Sequence, residues 1–265
     1  HGEGWGMMAD VASLTISEIE KQLADGPVSK EFLAACRKDK RRGVEKLWRK
    51  FQREAAERER VAALYAYERE AHQEGFSLIA GVDEAGRGPL AGPVVVAAVI
   101  LPLSLYLPKL NDSKKLSPAL RDTLYEVICE KAVALHCSIV DVAIIDRVNI
   151  YQATVNGMYE AILALDPNPQ KVLIDAVSLT KLPMPSLSII QGDAKSASIA
   201  AASIIAKVTR DRLMTQYDAQ YPGYGFAQHK GYGTAQHLEA LRKYGPCPIH
   251  RRSFEPVQAV LKPRR

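Results

Sequence analysis

Leu78-Ile79-Ala80-Gly81-Val82-Asp83-Glu84-Ala85-Gly86-Arg87-Gly88-Pro89 passes from an apolar run into two adjacent carboxylates and then into a glycine-rich turn. The apolar run predicts a buried strand over residues 78–83. Gly86 and Gly88 let backbone come close to a ligand. Asp83 and Glu84 therefore stand at a strand end as hard oxygen ligands suited to Mg²⁺ or Mn²⁺. Beside them are backbone N–H groups suited to a phosphate or hydroxyl, and Arg87 offers a charge to a phosphodiester. Neighbouring residues of a regular strand point to opposite faces. Convergence of Asp83 and Glu84 on one site thus requires either that the strand end or twist at Asp83, or that the longer Glu84 side chain reach round.

Working outward, residues 76–220 alternate strand and helix signals. Strands are predicted at 78–83, 93–101, 135–143, 171–175 and 187–191, and helices at 117–134, 149–165 and 196–217. Two consecutive strands followed by strand–helix alternation give an α/β mixed sheet with helices packed on it. Asp175 closes the apolar strand Val172-Leu173-Ile174, at the carboxyl end where open sheets place ligands. Asp193 follows the next strand and precedes the helix that starts near Ser196. Read singly, each acid is also a plausible turn or cap residue. Together with Asp83 and Glu84, at ends of strands of one sheet, they favour a shared metal site.

Residues 9–75 read as helix throughout. Thr15-Ile16-Ser17-Glu18 has the capping-box pattern, a second helix is predicted at 29–37, and a third continues from Val44 toward Glu74. Between Arg37 and Arg53 stand nine Lys or Arg against two acids, Asp39 and Glu45, an imbalance too one-sided for intrahelical ion pairs and suited to a nucleic-acid backbone. Residues 221–265 carry glycine-rich turns, one helix around 235–243 and a basic tail. Residues 1–8 lack the basic start and apolar core of a secretory signal and read as an expression remnant.

Four cysteines without Cys-x-x-Cys pairing indicate reduced thiols and a cytoplasmic chain. The longest apolar stretch, 94–103, is interrupted by Pro102 and too short to span a bilayer, so no membrane partner is expected. The net charge of +5 is compatible with a polyanionic partner. His229, His237 and His250 lack a Ser or Cys nucleophile pattern and read as surface or packing residues.

The segment from Gly81 to Pro93 resembles the opening motif of bacterial type 2 ribonuclease H (ribonuclease HII). Asp112-Ser113-Lys114-Lys115-Leu116 is similar to that family's next block, and Gly192-Asp193-Ala194-Lys195-Ser196, running into 200–211, to a third. Lys230-Gly231-Tyr232-Gly233-Thr234 and Ile249-His250-Arg251-Arg252-Ser253-Phe254 resemble the C-terminal blocks. The likeness spans 78–254 in order; the helical region before 76 is similar to an extension found in some bacterial members.

The resemblance implies a ribonuclease H-like five-stranded sheet flanked by helices, and Mg²⁺- or Mn²⁺-dependent endonucleolytic cleavage 5′ of ribonucleotides. RNA–DNA hybrids and single ribonucleotides in duplex DNA are the implied substrates, and the chain is expected to act as a monomer. It implies a catalytic, metal-binding quartet of Asp83, Glu84, Asp175 and Asp193. Gly86, Arg87, Gly88 and Tyr232 are expected to sense the ribonucleotide. Tyr232 alternatively packs on the core. Ser113, Lys114, Lys195, Ser196 and Lys230 are the expected further substrate contacts. The rivals are type 3 ribonuclease H, disfavoured by Gly-Arg-Gly after the first acids and by Asp at 193, and a non-catalytic nucleic-acid binder on the same scaffold.

Overall fold

The computed structural model describes residues 10–262, so the expected remnant at 1–8 lies outside the described residues. Two compact units divide at Arg60/Val61. This division falls before the end of the helical region at 75.

In the first unit α1 (Ile16–Ala24) starts at the expected capping box: Thr15 Oγ1 accepts from the Glu18 N–H, and the Glu18 carboxylate accepts from the Thr15 N–H at 2.7 Å. Ser29 caps α2 (Lys30–Lys38), and α3 spans Arg42–Ala63. Val11, Ile19, Phe32, Cys36 and Val44 form a small buried core. Arg41 staples its rim, paired with Asp39 at 2.7 Å and donating to the carbonyls of Val11 and Leu14.

The second unit is built on β1 (Ile79–Ala85), β2 (Val94–Ile100), β3 (Ala134–Val140), β4 (Lys171–Asp175) and β5 (Ser186–Ile189), in spatial order β3-β2-β1-β4-β5. β1 pairs antiparallel with β2 and parallel with β4, so the sheet is mixed as predicted. Every residue of β2 is buried, because helices cover both faces. Val95, Ala97 and Val99 pack with α5 (Pro118–Lys131) and α8 (Ala197–Gln220), whereas Val96, Ala98 and Ile100 pack with α7 (Ile150–Leu163).

Two of the elements that end short of their predicted bounds show what stops them. The strand expected to reach 143 stops at Val140, because the Asp141 carboxylate accepts from the Val142 N–H and starts α6 (Val142–Val148), whose Ile145 enters the core. The long N-terminal helix breaks at Leu64-Tyr65 before α4 (Ala66–Gln73). Here Leu64 and Tyr65 are drawn into the core, and the Leu64 carbonyl accepts from Ala197 N at 2.8 Å. Glu68 on α4, also buried, accepts from Ser196 Oγ and from Ser198 N. The first N–H groups of α8, which no helix satisfies internally, thus find their acceptors on the α3–α4 corner, and a carboxylate sits at the positive end of the helix.

The C-terminal part adds α9 (Phe226–His229), α10 (Ala235–Tyr244) and α11 (Glu255–Leu261). Among the described residues no helix is long and apolar enough to cross a membrane.

The small residues of α8 (Ala197, Ser198, Ala200, Ala201, Ala202, Ser203, Ala206) let it lie close on the sheet. The closest point is Gly81: a Cβ there would stand 2.1 Å from the Ser198 carbonyl carbon and 2.3 Å from Ile199 N. Both are backbone atoms and cannot swing aside. Gly81→Ala should therefore destabilise the chain by about 3 kcal/mol, read as a fall in thermal midpoint by circular dichroism; an unchanged midpoint would contradict the packing.

Candidate active site

β1 and β4 are paired only as far as Val82 and Ile174. β1 continues beside β2 through Ala85, so Asp83 and Glu84 lie beyond its last pair with β4, whose final residue, Asp175, is level with Asp83. Asp83 is on the α8 side with Gly81. Glu84 leaves the opposite side, and both nonetheless line one cavity of about 240 Å³. The strand does not end at Asp83. Its pairing with β4 ends, which opens both sides of the edge to the same space.

Asp175 is the last residue of β4, and its Oδ1 accepts from Gly192 N at 2.7 Å. That bond ties the end of β4 to the single 3₁₀ turn Gly192–Ala194, which carries Asp193 just before α8. Asp83, Asp175 and Asp193 consequently offer carboxylate oxygens that all lie within 4.8 Å of one another. Glu84 stands beside this triad rather than in it, held 3.7 Å from Arg87.

Burial first, then repulsion from Glu84 and Asp175, pushes the Asp83 carboxyl well above the ordinary range. Burial, opposed by Arg87, also raises Glu84. Asp193 is pushed up to about 6, again chiefly by burial and then by Asp112 and Asp175. Crowded acids of this kind share protons or bind cations. The donor set is all hard oxygen, which fits Mg²⁺ or Mn²⁺ and not a soft metal.

The cavity is also lined by Gly86, Arg87, Gly88, Ser113, Lys114 and Tyr232. Lys114 lies 3.8 Å from Asp193 and 3.9 Å from Asp112. Ser113 is buried, its N–H donating to Ser203 Oγ. The Tyr232 ring is 44% exposed over Gly88, which rules out the alternative of a core-packed tyrosine.

Three expected contacts lie elsewhere. Ser196 is fully buried and its hydroxyl is spent on Glu68 and the Ile199 N–H, so it caps α8 and cannot meet a substrate. Lys195 is exposed outside the cavity. The Lys230 ammonium folds back on the Ala227 carbonyl, and the residue lines a neighbouring groove with Lys207 and Arg212. The histidines are packing residues as read, and none is on the surface: His229, His237 and His250 are all buried.

Sequence reasoning passes over the residues that hold the glycine turn. Arg251 donates to the carbonyls of Gly86, Arg87 and Gly92, and Arg210 to those of Ala91, Pro93 and Lys230. Neither pairs with a carboxylate among the described residues, and burial lowers Arg210 to about 10 and Arg251 to about 9. Gly86 has φ +92°, and a Cβ would meet Arg210 Nε at 2.1 Å. Carbonyls are thereby turned inward to the guanidinium groups, leaving Gly86–Gly88 pressed against the cavity. Asp112 and Lys207 also line the site, and both are visible in the quoted motifs.

With this geometry in view, the family model described as Ribonuclease HII matches residues 80–257, and that of the Ribonuclease HII N-terminal domain matches 15–72. The chain belongs to the ribonuclease HII family. It is 51% identical to Ribonuclease HII of Geobacillus kaustophilus over 94% of this chain and 96% of that one. Among solved structures it resembles the ribonuclease H2 of Pyrococcus horikoshii OT3, with TM-score 0.59 and 27% identity over 69% of this chain and 96% of that one. It also resembles Bst-RNase HIII in complex with Mn²⁺, with TM-score 0.56 over 72% of this chain and 71% of that one; at 21% identity this likeness bears on the fold alone.

The raised Asp193 carboxyl has a measurable consequence. The folded chain holds its proton up to about pH 6, whereas the unfolded chain releases it near pH 4. Stability therefore falls as pH rises through that window, and above it the full cost persists. In EDTA at pH 7.5, Asp193→Asn should raise the thermal midpoint by about 2–4 °C, and at pH 4 the two proteins should melt alike. A lower midpoint for the variant at pH 7.5 would contradict the repulsion.

Proposed function

We propose that this chain is a divalent-metal-dependent endoribonuclease cutting on the 5′ side of a ribonucleotide, in RNA–DNA hybrids and at single ribonucleotides in duplex DNA. The products are a 3′-hydroxyl and a 5′-phosphate. The observation that carries this reading is the triad of carboxylates within 4.8 Å, facing the same cavity as a clamped glycine turn and an exposed tyrosine.

Asp83, Asp175 and Asp193 would hold Mg²⁺ or Mn²⁺, with Glu84 beside them. Bound divalent cations supply an activated water and neutralise charge on the phosphoryl and leaving oxygens. Arg87 and Lys114 are placed to orient the phosphate from either side of the acids. Backbone N–H groups of Gly86–Gly88, whose Gly86 and Arg87 carbonyls are taken by Arg251, would hydrogen-bond the 2′-hydroxyl that distinguishes RNA from DNA. A site of that kind rejects the deoxy analogue because its own polar groups would be left unpaired. Tyr232, opposite Gly88, is placed to lay its ring against the adjoining sugar. A non-catalytic binder is disfavoured, since four carboxylates facing a polyanion would only repel it without cations. The enzyme acts as a cytoplasmic monomer in this reading.

A duplex DNA carrying one ribonucleotide tests the proposal directly. It should be nicked only with Mg²⁺ or Mn²⁺ present, and Asp83→Asn should reduce nicking to background while leaving hybrid binding intact. Near-normal turnover by this variant, or nicking in EDTA, would refute the assignment.

The N-terminal unit has its own part in this reading, as a surface for the nucleic-acid backbone. Arg42, Lys46, Arg49 and Arg53 recur at helical spacing and line one groove of α3. Among these four only Arg49 forms an ion pair with a described residue, an exposed one with Glu45. Each phosphate that a protein neutralises adds about 0.9 to the salt slope of its binding. Replacing the four by Gln should therefore flatten the slope by about 2–3 without changing kcat on bound substrate. An unchanged slope would make the stripe an ordinary solvated face.

A further inference from the structure

The Tyr232 ring is half exposed, with the Arg210 guanidinium 6.0 Å from its centroid, and the backbone that carries it is held by buried imidazoles. The Tyr232 N–H donates to the His229 carbonyl at 3.0 Å, and the preceding Gly231 N–H donates to His229 Nδ1 at 3.1 Å. On the other side, the Tyr232 carbonyl lies 2.8 Å from His237 Nδ1 and also accepts from the Thr234 N–H at 2.9 Å. His237 Nε2 lies 2.9 Å from His250 Nε2, and His250 Nδ1 accepts from the Cys247 N–H at 2.9 Å.

Only one arrangement of protons satisfies this chain. A backbone N–H can only donate, so His250 Nδ1 is bare and its proton sits on Nε2. That proton points at His237 Nε2, which must accept it, so His237 carries its own proton on Nδ1. A carbonyl can only accept, and the Tyr232 carbonyl takes this last hydrogen bond. All donors run the same way, from Cys247 through His250 and His237 to Tyr232, and such chains strengthen each link. Burial agrees with neutral rings, holding His237 below its ordinary value and His250 at about 4. The rings also stack, with His229 and His237 4.4 Å apart between centroids and Phe226 set edge-on to both.

We infer that His237 is a positioning residue for substrate discrimination: through its Nδ1–H, which joins the Thr234 N–H on the same oxygen, it fixes the carbonyl, and hence the ring direction, of Tyr232. The inference rests on the reading of Tyr232 as the group that meets the sugar beside the ribonucleotide.

Two substitutions in the full chain separate positioning from packing. In His237→Asn the amide nitrogen stands where Nδ1 was and still donates to Tyr232, but nothing accepts from His250. In His237→Gln the amide oxygen reaches the Nε2 position and still accepts from His250, but the Tyr232 carbonyl keeps only the Thr234 N–H. Each loses one hydrogen bond and the ring, so thermal midpoints should fall alike. The readout is the ratio of kcat/KM on a single ribonucleotide in duplex DNA to that on a long RNA–DNA hybrid, with Tyr232→Ala as reference.

Stacking of this kind supports a ten- to hundredfold loss of the ratio for Tyr232→Ala, on the order expected for one aromatic–base contact. His237→Gln should approach that loss, and His237→Asn should stay within about threefold of wild type, since it keeps the bond to the carbonyl. If Tyr232→Ala lowers the ratio but Asn and Gln behave alike, the positioning role falls and the reading of Tyr232 stands. If Tyr232→Ala leaves the ratio unchanged, that reading falls and the inference with it. Nitrogen-15 spectra of the wild-type imidazoles give a test that needs no variant to fold: His237 protonated on Nε2 rather than Nδ1 would overturn the inference.

Discussion

The second unit depends on one close approach, that of the α8 backbone to Gly81. A helix normally stands off a sheet by the length of two side chains, and here one of them is missing. Because α8 comes down at that point, the turn preceding it is carried to the end of β1, and Asp193 arrives beside Asp83. Asp175 enters from the parallel neighbour β4 and is bonded to the same turn through Gly192 N. Three acids from three separate stretches of chain thus meet because one residue between them has no side chain.

The charges around the cavity are divided by depth. The acids line its floor, and the two buried guanidinium groups behind the glycine turn are held by carbonyl oxygens rather than by a described anionic partner. Burying a cation without a counter-ion costs stability, and six carbonyl bonds offset much of that cost. The turn gains rigidity, and the nearby field gains two positive centres that counter the crowded carboxylates. An anionic ligand entering between them meets cations at two depths, Arg210 and Arg251 behind the turn and Arg87 and Lys114 at the rim.

What is legible in the sequence is what is local. Apolar runs locate the five strands, and carboxylates at their ends locate all four acids. The capping box at Thr15 starts a helix, and the helices predicted from 29 and 117 begin there, capped by Ser29 and Ser117. What is illegible depends on partners far along the chain. Ser196 reads as a substrate contact, and only Glu68, 128 residues earlier, turns its hydroxyl inward. Arg210 and Arg251 read as any basic residues do until six carbonyls, five of them 117 to 165 residues away, close around them. How Asp83 and Glu84 come to share one cavity is not resolvable from β1 alone, because the answer lies in where its pairing with β4 stops.

Glu68 has a bearing on where this chain can be cut. The N-terminal family match runs to residue 72, which invites excision of everything before the sheet. Yet Leu64, Tyr65 and Glu68 belong to the second compact unit, and Leu64 and Glu68 supply the acceptors for the start of α8. A fragment beginning at residue 76 would expose those N–H groups and release the turn that bears Asp193. Its loss of activity would then say nothing about the basic helices. The boundary that respects the hydrogen bonding falls after Arg60, so sequence modules and physical modules in this chain are offset by about one helix.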